Sequence, residues 1–66
     1  MKLTINGDAH DVPEGLTVRA LLAFLELGGG PVAVEVNREI VPRAEHDQRA
    51  LHGEDVIEIV HLVGGG

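Results

Sequence analysis

Three glycines at positions 64–66 are the feature of this 66-residue sequence that most suggests chemistry. Glycines lack side chains that could pack onto a core, so we expect residues 64–66 to project as a mobile arm from a folded domain of residues 1–63. Glycines in such a position are also typical of an ordinary frayed terminus, which would do no chemistry.

The group at the end of this glycine arm would be the carboxylate of Gly66. A carboxylate is a poor electrophile, but an ATP-dependent partner could convert it into an acyl-adenylate, which sulfide or a persulfide attacks to give a thiocarboxylate. Gly64 and Gly65 would suit this chemistry, because a backbone without Cβ atoms can enter a narrow channel. The sequence has no cysteine, so any sulfur must be attached elsewhere than on a side-chain thiol.

Two other groups of side chains could suggest a site. The carboxylates of Glu54, Asp55 and Glu58 would need a cleft to act as an acid and a base, and Glu54 and Asp55 suit a turn, so we expect surface positions. The histidines have no tight metal-ligand spacing, and we expect them to be solvated or partly buried rather than to bind a metal. They are His10, His46, His52 and His61.

Size and charge exclude several functional classes. A ligand site of roughly 300 Å³ would use most of the interior of so small a domain, so we do not expect an independent enzyme. The net charge of −6 disfavours nucleic acid and anionic membranes as partners and favours a protein with a basic docking surface. No signal-peptide or membrane-spanning pattern is visible, and we expect a cytoplasmic protein.

The first half of the sequence predicts a β-hairpin followed by a helix. Residues 1–5 alternate in polarity, the Asn6-Gly7 pair suits a tight turn, and residues 9–12 would form the return strand. Thr17 is predicted to cap a helix of about three turns, ended by the glycines at 28–30. The apolar stripe of this helix has the expected spacing and consists of Val18, Leu21, Leu22 and Leu25.

The second half predicts three more strands, over residues 32–36, 39–41 and 56–62, with a turn at Asn37-Arg38 between the first two and a single helical turn within residues 43–49. This order predicts an α+β fold in which one helix packs on one face of a mixed sheet. Among known folds, the arrangement resembles the ubiquitin-like β-grasp.

The last strand predicts a candidate docking surface. If Ile57 and Ile59 face the core, strand alternation leaves Val60 and Leu62 as exposed apolar residues beside the glycine arm. Such a patch is typical either of partner binding or of an edge or dimer contact. Arg43, in the polar segment between the last two strands, could help to hold a partner or could simply lie on the surface.

Over essentially its whole length, the sequence resembles the ThiS family, the ubiquitin-like sulfur carriers of the thiamine pathway. The most specific match is the segment 36–43, Val-Asn-Arg-Glu-Ile-Val-Pro-Arg, which fits the family pattern Asn-x-x-Ile/Val-Val-Pro-Arg. Residues 3–7 and the terminal Gly65-Gly66 match in the same order. A third glycine, Gly64, departs from the usual two and leaves the register of the arm open.

The resemblance implies that an E1-like adenylyltransferase activates Gly66 with ATP and Mg²⁺, that a sulfur-transfer protein supplies sulfur, and that thiazole synthase accepts it. The chain would then be a carrier protein rather than an enzyme, and would bind no cofactor itself. Three alternatives stay open: a carrier for molybdopterin or tRNA thiolation, a ubiquitin-like protein modifier, and a non-catalytic β-grasp binding module. The Val-Pro-Arg segment favours the thiamine pathway over molybdopterin.

Overall fold

The computed structural model describes residues 1–62, which form a five-stranded mixed sheet with one helix packed on one face. The strand order is β2-β1-β5-β3-β4, in which β1 and β5 are parallel and the other neighbours are antiparallel. This is the β-grasp arrangement, as predicted. The elements are β1 (Lys2–Ile5), β2 (Asp8–Asp11), α1 (Val18–Phe24), β3 (Val32–Val36), β4 (Glu39–Val41), a 3₁₀ turn (Arg43–Glu45) and β5 (Val56–His61).

The last strand lies at the centre of the sheet. β5 pairs with β1 on one side, where Ile5 aligns with Ile57, and with β3 on the other, from Val36 opposite Ile57 to Val32 opposite His61. A parallel pair needs a long crossover connection, which here consists of the helix, the β3-β4 hairpin and the 3₁₀ turn. The two edge strands, β2 and β4, are short.

Both hairpins have asparagine at the first position of a tight turn with positive backbone angles. Asn6 and Gly7 have φ of 49° and 88°, and Asn37 and Arg38 have φ of 50° and 69°. Turns with two positive φ angles match the twist of the flanking strands, and asparagine tolerates this conformation better than most residues. Both turns were predicted from the sequence.

The helix begins as predicted, since the Thr17 side chain accepts a hydrogen bond from the backbone N–H of Ala20 at 3.2 Å. Its predicted length and stop signal are wrong. The helix ends at Phe24, because Glu26 adopts a left-handed φ of 61°. The N–H of Leu27 then bonds the Leu22 carbonyl at 2.7 Å, and the N–H of Glu26 bonds Ala23, which is a Schellman motif.

This early stop has a packing cause. Leu27 lies against the hydrophobic core, and its burial holds Glu26 in a conformation that usually favours glycine. The glycines at 28–30 therefore belong to the loop after the helix and do not end it. A seven-residue helix is far too short to cross a membrane, and residues 1–62 contain no other helix long and apolar enough to do so.

The core is aliphatic, as the near absence of aromatic residues predicted. Phe24 is the sole aromatic residue of the sequence, and half of its surface is exposed. The helix and all strands except β2 contribute buried side chains, while Val12 joins the core just beyond β2. The buried aliphatic residues of the core are Leu3, Ile5, Val12, Val18, Leu21, Leu22, Val34, Val36, Val41, Leu51, Ile57 and Ile59.

Replacing Ile57 by valine should lower the free energy of unfolding by about 1 kcal/mol, because Ile57 is fully buried in the central strand and loses one methylene group. Urea unfolding followed by circular dichroism measures the change. The matched control is Ile40→Val on the exposed surface of β4, for which we expect a change within about 0.5 kcal/mol. Equal effects of the two substitutions would contradict this description of the core.

Candidate functional site

The end of β5 fixes where any C-terminal segment leaves the sheet. After the last ladder pair, Val32 with His61, the N–H of Leu62 donates to the carbonyl of Pro31 at 3.0 Å. The chain is therefore hydrogen-bonded to its neighbour up to Leu62. The predicted site residues Gly64, Gly65 and Gly66 lie outside the described residues, as does the predicted boundary between domain and arm.

The side chain of Asn6 holds the other edge of β5. The backbone of β1 turns away after Ile5, so it cannot pair with the second half of β5. In its place the Asn6 carboxamide donates to the Ile59 carbonyl at 3.1 Å and accepts from the Ile59 N–H at 2.7 Å. One amide side chain thus substitutes for a strand residue and satisfies both backbone groups of Ile59.

Asn37 has the same role at the start of β5. Its side-chain oxygen accepts from the Val56 N–H at 2.9 Å, and its amide donates to the Asp55 carboxylate at 2.9 Å. The other oxygen of Asp55 accepts from the His52 N–H at 2.8 Å. These bonds give Asp55 a structural role in the turn before β5.

The side chains of β5 alternate as predicted. Ile57 and Ile59 are buried, whereas Val56, Val60 and Leu62 are 45%, 57% and 51% exposed. The strand therefore has one face in the core and an apolar face in solvent. The outward residues of β5, β3 and β4 form a part of the helix-free face of the sheet that is called the open face below. It comprises Ala33, Glu35, Ile40, Val56, Glu58 and Val60.

Arg43 lies apart from the open face. It is exposed on the 3₁₀ turn and lines a pocket of about 250 Å³ on the helix side of the sheet, together with Arg19 and His46. The structure thus places Val60 and Leu62 close together at the end of β5, but it places Arg43 on the helix side of the sheet. A single flat partner surface would not contact all three of the residues that the sequence singled out.

His46 is the exception among the histidines. It is 6% exposed, and its Nε2 lies 3.1 Å from the Val41 carbonyl, so Nε2 carries the hydrogen because a carbonyl only accepts. Its backbone carbonyl also accepts from the Arg19 N–H at 2.9 Å. The expectation of a solvated or partly buried side chain is therefore wrong for His46, which joins the 3₁₀ turn to β4 and α1.

The other three histidines are half-buried or exposed, as expected: His10, His52 and His61. Across the part of the chain that the structure describes, no three histidine or carboxylate side chains converge in a way that could hold a metal ion.

The fold and the base of the arm agree with the comparison with known families. The model of the ThiS family matches residues 3–66, nearly the whole sequence. The chain belongs to the ThiS family. The membership predicted from the Val-Pro-Arg segment and the terminal glycines is therefore confirmed.

Individual relatives agree. The sulfur carrier protein ThiS of Bacillus subtilis (strain 168) is 46% identical over 50 residues, which are 76% of each chain. The crystal structure of the thiamine biosynthesis protein ThiS of Geobacter metallireducens is 35% identical, with a TM-score of 0.86 and full coverage of both chains. A thiazole synthase of Paramagnetospirillum magneticum is 46% identical over all 66 residues, and the present chain spans 20% of its length.

The side-chain bonds of Asn6 and Asn37 were missed from the sequence. Both asparagines were assigned to turns, and a turn assignment says nothing about where the side chain points. The signal that could have found them is their equivalent position: each is the first residue of a tight hairpin turn, and each hairpin contains a strand that pairs with β5.

Replacing Asn6 by glycine should increase hydrogen exchange at the Ile59 amide and cost about 1–3 kcal/mol, because both bonds to Ile59 are lost while the positive φ remains allowed. Amide exchange followed by NMR measures the effect. The matched control, Asn37→Gly, should expose the Val56 amide instead. Unchanged protection of Ile59 in the Asn6→Gly variant would show that the side-chain bonds do not hold the strand.

Proposed function

We propose that this chain carries sulfur for thiazole formation on the carboxylate of Gly66. The observation that carries the proposal is the position of β5: it is the central strand, and it is bonded up to Ile59 on the β1 side and up to Leu62 on the β3 side. A segment that continues from β5 begins at a fixed point of the domain. Family membership indicates the chemical role of the chain. The structure gives the fixed point of the domain from which the following residues continue.

The chemistry proceeds in two displacements, the first at the α-phosphorus of ATP and the second at the carboxyl carbon of Gly66. First, a carboxylate oxygen of Gly66 attacks the α-phosphorus of ATP, and pyrophosphate leaves, which gives the acyl-adenylate. Sulfide then attacks the carbonyl carbon, and the bond between that carbon and the oxygen of AMP breaks. AMP leaves, and the product is the thiocarboxylate. If the donor is a protein persulfide, an acyl disulfide forms first, and a thiol must cleave its sulfur–sulfur bond.

This chain needs no catalytic side chain for either displacement. The adenylating partner supplies ATP, Mg²⁺ and the groups that stabilise the transition states, and the chain supplies an unhindered acyl group. Four residues follow Leu62, and a fully extended segment of that length spans at most about 14 Å. That distance suits a site recessed below the surface of a partner, provided that the domain itself docks at the entrance.

The proposed partners are an E1-like adenylyltransferase, a sulfur-transfer protein and thiazole synthase. The Paramagnetospirillum magneticum relative supports the last of these, because the region similar to this chain forms a fifth of a protein named thiazole synthase. The first two follow from the need to activate a carboxylate and to deliver sulfur. We propose further that the chain acts in the cytoplasm, is not itself an enzyme and binds no cofactor.

The relatives named for thiamine biosynthesis favour this function over the other candidates, which are molybdopterin or tRNA thiolation, protein modification and simple binding. A binding module that uses only the sheet would act without its glycines. The glycine arm is therefore the part of the chain whose removal separates these functions.

Deleting Gly65 and Gly66 should leave the unfolding midpoint unchanged and abolish thiocarboxylate-dependent thiazole formation, because the core residues that the structure describes all precede residue 63. Reconstituted thiazole synthesis and urea unfolding measure the two effects. The matched control is Gly29→Ala in the other glycine run, where an added Cβ meets no atom within 4 Å, and we expect full activity. Thiazole formation by the truncated chain, or its unfolding, would refute the proposal.

A further inference from the structure

The open face contains a pair of charges that the fold does not need. Glu35 of β3 lies directly opposite Glu58 of β5, and both side chains point away from the core. Directly opposed residues of antiparallel strands have Cβ atoms about 4.5–5.5 Å apart, and like charges at that distance destabilise the sheet. A threonine or valine at either position would remove this cost.

No cation of the described chain neutralises this pair. The ion pairs within residues 1–62 are Arg19 with Asp47 and Arg49 with Glu39, and neither involves Glu35 or Glu58. Lys2 is a basic residue on the same face of the sheet. It precedes Thr4, which is aligned with Val56 at the start of β5, so Lys2 has no residue of β5 beside it. Within residues 1–62, the two carboxylates therefore have no cationic partner.

Exposed apolar side chains surround the pair. Ile40 is directly opposite Glu35 on β4, and Val60 and Val56 flank Glu58 along β5. Ile40 is 74% exposed, the most exposed of the large apolar residues that the structure describes. An acidic centre within an apolar surround is complementary to a protein surface that has a basic side chain among apolar residues.

We propose that the open face docks on thiazole synthase, and that an arginine or lysine of that enzyme binds between Glu35 and Glu58 while Val60 and Ile40 pack around it. The inference rests on the proposed function. Val60 lies on the open face, and Leu62, the last described residue, lies two residues further along, so an enzyme that binds the residues after Leu62 lies close to this face. Thiazole synthase is the partner that a relative joins to this domain in one chain.

The proposal predicts that stability and binding respond in opposite directions. Glu58→Gln keeps the shape of the side chain but removes one charge, so it relieves the repulsion in the free domain and weakens the contact with the cation. A residue with a purely structural role would lower stability and binding together.

The test compares Glu58→Gln, Glu35→Gln and the double variant with a matched control, Glu14→Gln, an exposed glutamate in the turn before the helix. Calorimetry with purified thiazole synthase measures the Kd at two salt concentrations, and urea unfolding measures stability. We expect each single variant to bind roughly tenfold more weakly, with a smaller salt dependence. Its unfolding midpoint should be equal to or higher than that of the native chain, and the control should match the native chain throughout.

Three results would overturn the inference: binding equal to that of the control, weaker binding accompanied by lower stability, or a loss confined to the adenylation step. The last result would place the basic side chain on the adenylating partner. Failure of the proposed function itself would look different, because the native chain would then form no thiocarboxylate with any set of partners.

Discussion

The structure depends on how its last strand is held. β5 is the central strand of the sheet, and it receives backbone bonds from β1 and β3 on its two edges. Where the backbone of β1 turns away, the Asn6 side chain continues the pairing at Ile59. The domain is near the lower size limit for independent folding. The central position of β5 brings this last strand into contact with most of its small core.

The two faces of β5 have separate roles as a consequence. Ile57 and Ile59 complete an aliphatic core that the helix covers, so inward changes alter folding. Glu58 and Val60 contribute nothing to that core and are available to a partner. Alternation along a single strand thus separates the side chains of the core from those of the open face, for which we propose a docking role, and the repulsion between Glu58 and its neighbour Glu35 lies on the exposed side.

Much of the fold could be predicted from the sequence, because local signals agree with it: the β3 bounds, both hairpin turns and the alternation of β5 follow from period and turn chemistry. The helix stop could not, because burial of Leu27 forces Glu26 into a conformation that its residue type disfavours. The pairing of Glu35 with Glu58 and the burial of His46 depend on strand register and tertiary packing, which no local pattern specifies. The reactive carboxylate of Gly66 stays a prediction that rests on chemistry and resemblance.

The most direct test of the account is the intact mass of the full chain after incubation with the adenylating partner, ATP, Mg²⁺ and a sulfur source. The account predicts a gain equal to the exchange of one oxygen for sulfur, dependent on ATP and mapped by fragmentation to Gly66. An unchanged mass with every component present, or sulfur found on any other residue, would contradict it.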